Sequence, residues 1–207
     1  MKIVALGDSL TVGNQTIFDT TEFEESASYP AYLETLALNH LRTKQSNMNF
    51  SIVNKGVCGD LTSGMIERFA TDVVMEKPNC VIILGGTNDV GWGFDPAVIV
   101  RNLGMMYDAA LRENILPVPC SIPSILGFDE FISPRLRLNS MIRAKAEQNK
   151  LAYVDLFAAT ANPQTRRLLE EYSADGLHLN DTGYERVAQC VFDQWLKPFL
   201  DNETTKT

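Results

Sequence analysis

The chain is short of several things that would direct its reading elsewhere. It has only four cysteines, at positions 58, 80, 120 and 190, and no two of them form a C-x-x-C pair. That spacing argues against a disulfide framework and against a zinc site, so no metal is expected. No segment approaches the roughly 20 consecutive apolar residues that a membrane-spanning helix needs. The first apolar run, Ile3 to Leu6, starts straight after Met1–Lys2 and ends on a glycine, too short for the apolar core of a signal peptide. The expectation is a cytoplasmic protein. Basic residues are outnumbered, 18 Lys and Arg against 26 Asp and Glu, for a formal charge of −8. A chain with this balance has no basic stripe for a phosphate backbone, which excludes nucleic acid as an expected partner. Histidine is scarce too: there are two, His40 and His178.

What is present is an ordinary globular composition, 45% hydrophobic over 207 residues, enough for one domain with a full core. Five short segments read as strands: Ile3–Leu6, Phe50–Asn54, Cys80–Leu84, Ile115–Cys120 and Ala152–Asp155. Three are continuous apolar runs, as in strands of a parallel sheet covered on both faces. Helical patterns lie between them. One is predicted from Tyr29 to Leu41, one after Asp95–Pro96, and one after Ser133–Pro134. The last places Tyr184, Val187, Ala188, Val191, Phe192 and Trp195 on one face, with Asn180 as its N-cap and Pro198 near its end. Alternating strands and helices predict an α/β domain over residues 1–200, followed by a disordered tail, 201–207. Residues 14–28 form a polar, acidic insertion, read as a solvated loop with a flap over the site as the alternative.

In open parallel sheets, ligands bind outside the carboxyl ends of the strands. Three polar, glycine-containing blocks fall there: Gly7–Asp8–Ser9–Leu10, Asn54 to Asp60, and Gly85–Gly86–Thr87–Asn88–Asp89. A fourth, Asp175–Gly176–Leu177–His178, precedes the last helix. Each block alone is weak; the information is in their combination and order. Together they resemble the GDSL, or SGNH, hydrolase family, with Ser9, Gly59, Asn88 and His178 at the four naming positions. Asp175 matches the third member of the family's triad. Ser28–Tyr29–Pro30 also looks like the family, and the likeness spans residues 3–195. The resemblance implies a flavodoxin-like three-layer α/β/α sandwich with a five-stranded parallel sheet. It also implies a cofactor-free esterase or acylhydrolase acting on small-molecule esters.

The residues support the same chemistry directly. A serine hydroxyl needs a base to become a nucleophile, and histidine is the side chain that titrates near neutral pH. His40 lies in a predicted helix away from any strand end; His178 sits three residues after a carboxylate able to fix its tautomer. The backbone N–H groups of Ser9 and Gly59 and the side-chain amide of Asn88 are candidate donors to an oxyanion. Asp8 and Asp89 are expected to hold their loops through bonds to backbone N–H groups. Cys58 is a second candidate nucleophile, without a base near it in sequence. Trp92 and Phe94 follow Asn88 closely and are candidate walls of a substrate pocket, against a reading as packed loop. The expected reaction is hydrolysis of small soluble carboxylic esters through an acyl-serine, with acyl thioesters and sugar O-acetates as alternative substrates. A flavin-binding module and a catalytically inactive binding protein on the same fold are the competing classes.

Overall fold

A computed structural model of the protein describes residues 1–13 and 28–204. The acidic insertion expected to be a loop or flap therefore lies outside the described residues, Ser28 excepted. Among the described residues, four parallel strands form the sheet, β1 (Lys2–Gly7), β2 (Ser51–Gly56), β3 (Cys80–Leu84) and β4 (Leu116–Pro119), in the order β2-β1-β3-β4. Ile3 to Leu6 and Cys80 to Leu84 are buried along their whole length. Strands buried at every residue need cover on both faces, which is why they read as unbroken apolar runs.

The cover comes from two sets of helices, each packed within itself. One contains α2 (Tyr29–Thr43), α7 (Leu156–Thr160) and α8 (Asp181–Val191); the other contains α3 (Thr62–Asp72), α5 (Pro96–Arg112) and α6 (Ile132–Gln148). Two short helices, α1 (Ser9–Val12) and α4 (Thr87–Gly91), follow β1 and β3 directly. Asp95 and Asn180 cap α5 and α8 as expected, accepting from Ala97 N–H and Gly183 N–H. No helix among the described residues is long and apolar enough to cross a membrane.

Four expectations need correction. The predicted fifth strand, Ala152–Asp155, makes only one bridge among the described residues, Val154 beside Cys120. The reason lies in its neighbour. Leu116 and Cys120 donate toward β3, so Pro117 and Pro119 face the outer edge, where neither has an N–H to offer. Only the Pro119 carbonyl and the Ser121 amide remain to pair with Val154. Second, Ser133 does not start α6. A 3₁₀ turn, Asp129–Phe131, feeds into it, and Pro134 sits in the first turn, where an N–H has no intrahelical partner. Third, the last helical stretch does not stop near Pro198. A π-helical turn, Phe192–Leu196, precedes it, with Lys197 N–H reaching back to the Phe192 carbonyl, and the chain continues as α9 (Lys197–Thr204). Opening the coil by one residue accommodates a proline that cannot make the regular bond. Fourth, order therefore extends past residue 200: Asp201 on α9 pairs with His40 and Lys44 of the α2 end.

Candidate active site

The strand order reverses between β1 and β3, and the blocks at the ends of β1, β2 and β3 all emerge on the same side of the sheet. Gly7 is forced by proximity, because a Cβ there would stand 2.1 Å from Thr11 Oγ1 and 2.5 Å from the Leu84 carbonyl. Asp8 then caps α1, its Oδ1 accepting from Leu10 N–H at 3.0 Å, and Ser9 is the first helical residue.

Ser9 Oγ lies 3.1 Å from His178 Nε2. On the far side of the ring, His178 Nδ1 lies 2.7 Å from Asp175 Oδ2. A proton on Nδ1 donated to that carboxylate leaves Nε2 to accept from the serine hydroxyl. The other carboxylate oxygen accepts from the backbone amides of Leu177 (2.9 Å) and His178 (2.7 Å), so the acid is fixed by its own turn. Its partial burial would raise the Asp175 pKa; the His178 ring and the two amides outweigh this and hold it below the ordinary carboxylate value.

Asn88, on α4, donates from Nδ2 to the Asp60 carbonyl at 2.9 Å, which leaves its second amide hydrogen. Gly59 stands at φ +74°, and a Cβ added there would meet nothing within 4 Å, so the backbone angle, not crowding, selects glycine. Among the described residues, no hydrogen bond engages the backbone amide of Ser9 or Gly59. Asp89 holds its loop as expected: it accepts from Thr62 N–H at 3.0 Å and from Thr62 Oγ1 at 2.6 Å.

Asp8 is wholly buried and its Oδ2 has no hydrogen-bond partner among the described residues. Burial pushes its pKa up to about 7, opposed by the Leu10 amide, Arg135 and His178 and aided by Asp89.

The remaining candidates separate. His40 is bound to Asp201 at 2.9 Å and packs edge-on against Phe192, away from Ser9. Cys58 is exposed, with no hydrogen bond to a base among the described residues. Trp92 stands at the mouth of a depression lined also by Asn88 and Leu177, with its own surface 78% exposed. Phe94 faces a different depression, with Pro96 and Pro134, so only one of the two expected pocket walls adjoins Asn88.

Two arginines escaped the sequence reading. Arg68, on α3, joins three segments: Nη2 donates to the Gly7 carbonyl (2.8 Å), Nη1 to the Lys55 carbonyl (2.8 Å) and Nε to Asp60 (2.7 Å). It also pairs with Asp72 one turn on, the one relation visible in sequence, and an i,i+4 pair reads as a solvated helix face. Arg135, on α6, is 2% exposed and donates from Nη1 to the Pro123 carbonyl.

Comparison with known proteins shows the family. Residues 5–186 match the model of the GDSL-like Lipase/Acylhydrolase family. The chain belongs to that family and is an esterase or acylhydrolase of the GDSL type. It is 28% identical over 167 residues to Esterase TesA of Pseudomonas aeruginosa, covering 80% of this chain and 79% of that one. It is 26% identical over 175 residues to an acetylxylan esterase of Geobacillus stearothermophilus, covering 76% and 77%. A solved structure of the acetylxylan esterase Axe2 from the same organism superposes with a TM-score of 0.74 at 20% identity, over 93% of each chain, a likeness of fold.

Proposed function

We propose that the protein is a serine-dependent hydrolase of carboxylic esters, small and soluble ones by preference, acting through an acyl-serine. The observation that carries this reading is the unbroken line of hydrogen bonds from Ser9 Oγ through His178 to Asp175. In the first step His178 Nε2 takes the hydroxyl proton as Ser9 Oγ bonds to the ester carbonyl carbon. The carbonyl π pair moves to oxygen. When the tetrahedral adduct collapses, the C–O bond to the alcohol breaks and His178 returns its proton to the departing oxygen. Water then attacks the acyl-serine with His178 again as base, releasing the acid and restoring Ser9. Asp175 keeps the ring oriented and stabilises its charged form.

The oxyanion is held by the amides of Ser9 and Gly59, which have no competing acceptor among the described residues, and by Asn88 Nδ2. Asn88 is aimed by the Asp60 carbonyl, and Asp60 is held by Arg68. The sandwich reading assigns the two helix sets to opposite faces of the sheet, with residues 1–200 as one domain. A flavin phosphate at the β1 turn would meet Asp8, which already occupies the Leu10 amide. The test is covalent labelling with a fluorophosphonate followed by peptide mapping, alongside turnover of p-nitrophenyl acetate. Labelling at Ser9 and loss of both signals in Ser9→Ala are expected. Full turnover in Ser9→Ala, or a label placed on Cys58, would overturn the assignment.

A further inference from the structure

The depression beside Asn88 and Leu177 has a volume of about 350 Å³, at the small end of the roughly 300–1,000 Å³ of small-molecule sites. Its walls are largely apolar, with Ile125, Phe128 and Phe131 among them. Besides Asn88, two polar side chains interrupt this lining in an unusual way. Thr87 and Arg135 are 3% and 2% exposed, and Thr87 Oγ1 and Arg135 Nε have no hydrogen-bond partner among the described residues. Buried donors are nearly always paired, because an unpaired one forfeits its hydration without return. Two in one small pocket point to a ligand that supplies the acceptors.

The charge argues for which ligand. Arg135 is the only charged residue in the lining among the described residues. Its one hydrogen bond goes to a neutral carbonyl, Pro123, and no carboxylate among the described residues is within ion-pair distance of it. Burial lowers its pKa to about 10, with Asp8 acting through space in the opposite sense, so it remains a cation at neutral pH. A guanidinium presents parallel N–H groups that match the two oxygens of a carboxylate. We infer that this pocket receives a carboxylate carried by the substrate, paired with Arg135 and hydrogen-bonded by Thr87. The preferred substrates are then esters with a free carboxylate a few bonds from the scissile carbonyl. This substrate class rests on the ester-hydrolase reading of Ser9 and makes it more specific.

The test compares free and methyl-capped carboxylates in two arms. The acyl arm uses p-nitrophenyl hemiglutarate against its methyl ester; the alcohol arm uses O-acetyl-lactate against methyl O-acetyl-lactate. In at least one arm kcat/KM should favour the free acid by about 30-fold or more, the range set by losing one partner of a buried charge pair. The favoured arm tells whether the carboxylate belongs to the acyl or the alcohol side. Arg135→Met should remove most of that ratio, and Arg135→Lys should restore part of it. Equal rates for free and capped forms in both arms, or a ratio that Arg135→Met leaves in place, overturns the inference and makes the arginine a partner of Asp8 and Pro123 only. If Arg135→Met does not fold, calorimetry on the Ser9→Ala protein decides. Glutarate should bind and dimethyl glutarate should not; any other pattern overturns the inference. Calorimetry needs no turnover, whereas the ester-hydrolase reading fails separately, through an unlabelled Ser9 and no hydrolysis of any ester.

Discussion

Replacing Arg68 by methionine should damage both the stability of the protein and the alignment of its site, and the two effects can be separated. The side chain is 17% exposed and makes four hydrogen bonds, to the carbonyls of Gly7 and Lys55 and to the carboxylates of Asp60 and Asp72. Asp60, 12% exposed at its side chain, would lose its ion-pair partner. Removing one partner from a largely buried pair costs about 3–5 kcal/mol, and most of that is the charge left behind. For a chain of this size each kcal/mol moves Tm by about 2–4 °C, so a fall of about 6–16 °C follows from the lower half of that range. The kinetic effect has a different origin. Gly7 leads to Ser9, and Asp60 follows Gly59 and positions Asn88, so Arg68 sets the distance between the proposed nucleophile and the donors proposed for the oxyanion. A displacement of about 1 Å at such a site costs up to about 100-fold. That loss should fall on kcat, because the proposed substrate pocket beside Trp92 is left alone. The assay is thermal unfolding together with p-nitrophenyl acetate kinetics well below the lowered Tm. Arg68→Lys keeps a charge but not the fork and should recover less than half of either effect. A lowered Tm with an unchanged kcat would reduce Arg68 to a stability clamp; an unchanged Tm would refute the reasoning altogether.

Two further outcomes are expected. Asn88→Ala should lower kcat by about 10²–10³-fold, the loss of one oxyanion donor, with little change in KM, as read by steady-state kinetics; a loss confined to KM would remove Asn88 from the oxyanion site. Asp8→Asn should stabilise the protein in a pH-dependent way. The Asp8 pKa is raised from 3.8 to about 7, so the folded state holds a proton that the unfolded state has released. That contribution is fully present below pH 3.8 and is lost as pH rises toward 7, by an amount on the order of 4 kcal/mol at 1.36 kcal/mol per unit. Chemical denaturation across that window should show the variant's advantage growing with pH and levelling off above about 7; an advantage that shrinks with pH would reverse the sign of the argument.

The sheet's centre was legible because burial on both faces writes itself into the sequence as unbroken apolar runs, Ile3–Leu6 and Cys80–Leu84. The fifth segment, Ala152–Asp155, was also read as a strand and failed as one because of Pro117 and Pro119 in its neighbour. Pairing is a property of two segments, and a reading of one segment at a time misses it. The site was legible for a related reason. Ser9, Gly59 and Asn88 each sit in a local block whose glycines and polar residues mark a strand end, and Asp175–His178 is held by contacts three residues apart. The fold only had to close the separation of 169 positions between Ser9 and His178. Phe94 faces a different depression from Trp92 because Gly93, at φ +77°, turns the chain between them, which adjacency in sequence does not reveal. Arg68 and Arg135 were invisible for a deeper reason. Three of their bonds go to the carbonyls of Gly7, Lys55 and Pro123. Every residue carries a carbonyl, so a side chain whose work is to bind distant backbone has no partner that a sequence pattern could single out. The residues that hold the proposed nucleophile in place and charge the proposed substrate pocket are therefore the ones that only a three-dimensional arrangement exposes.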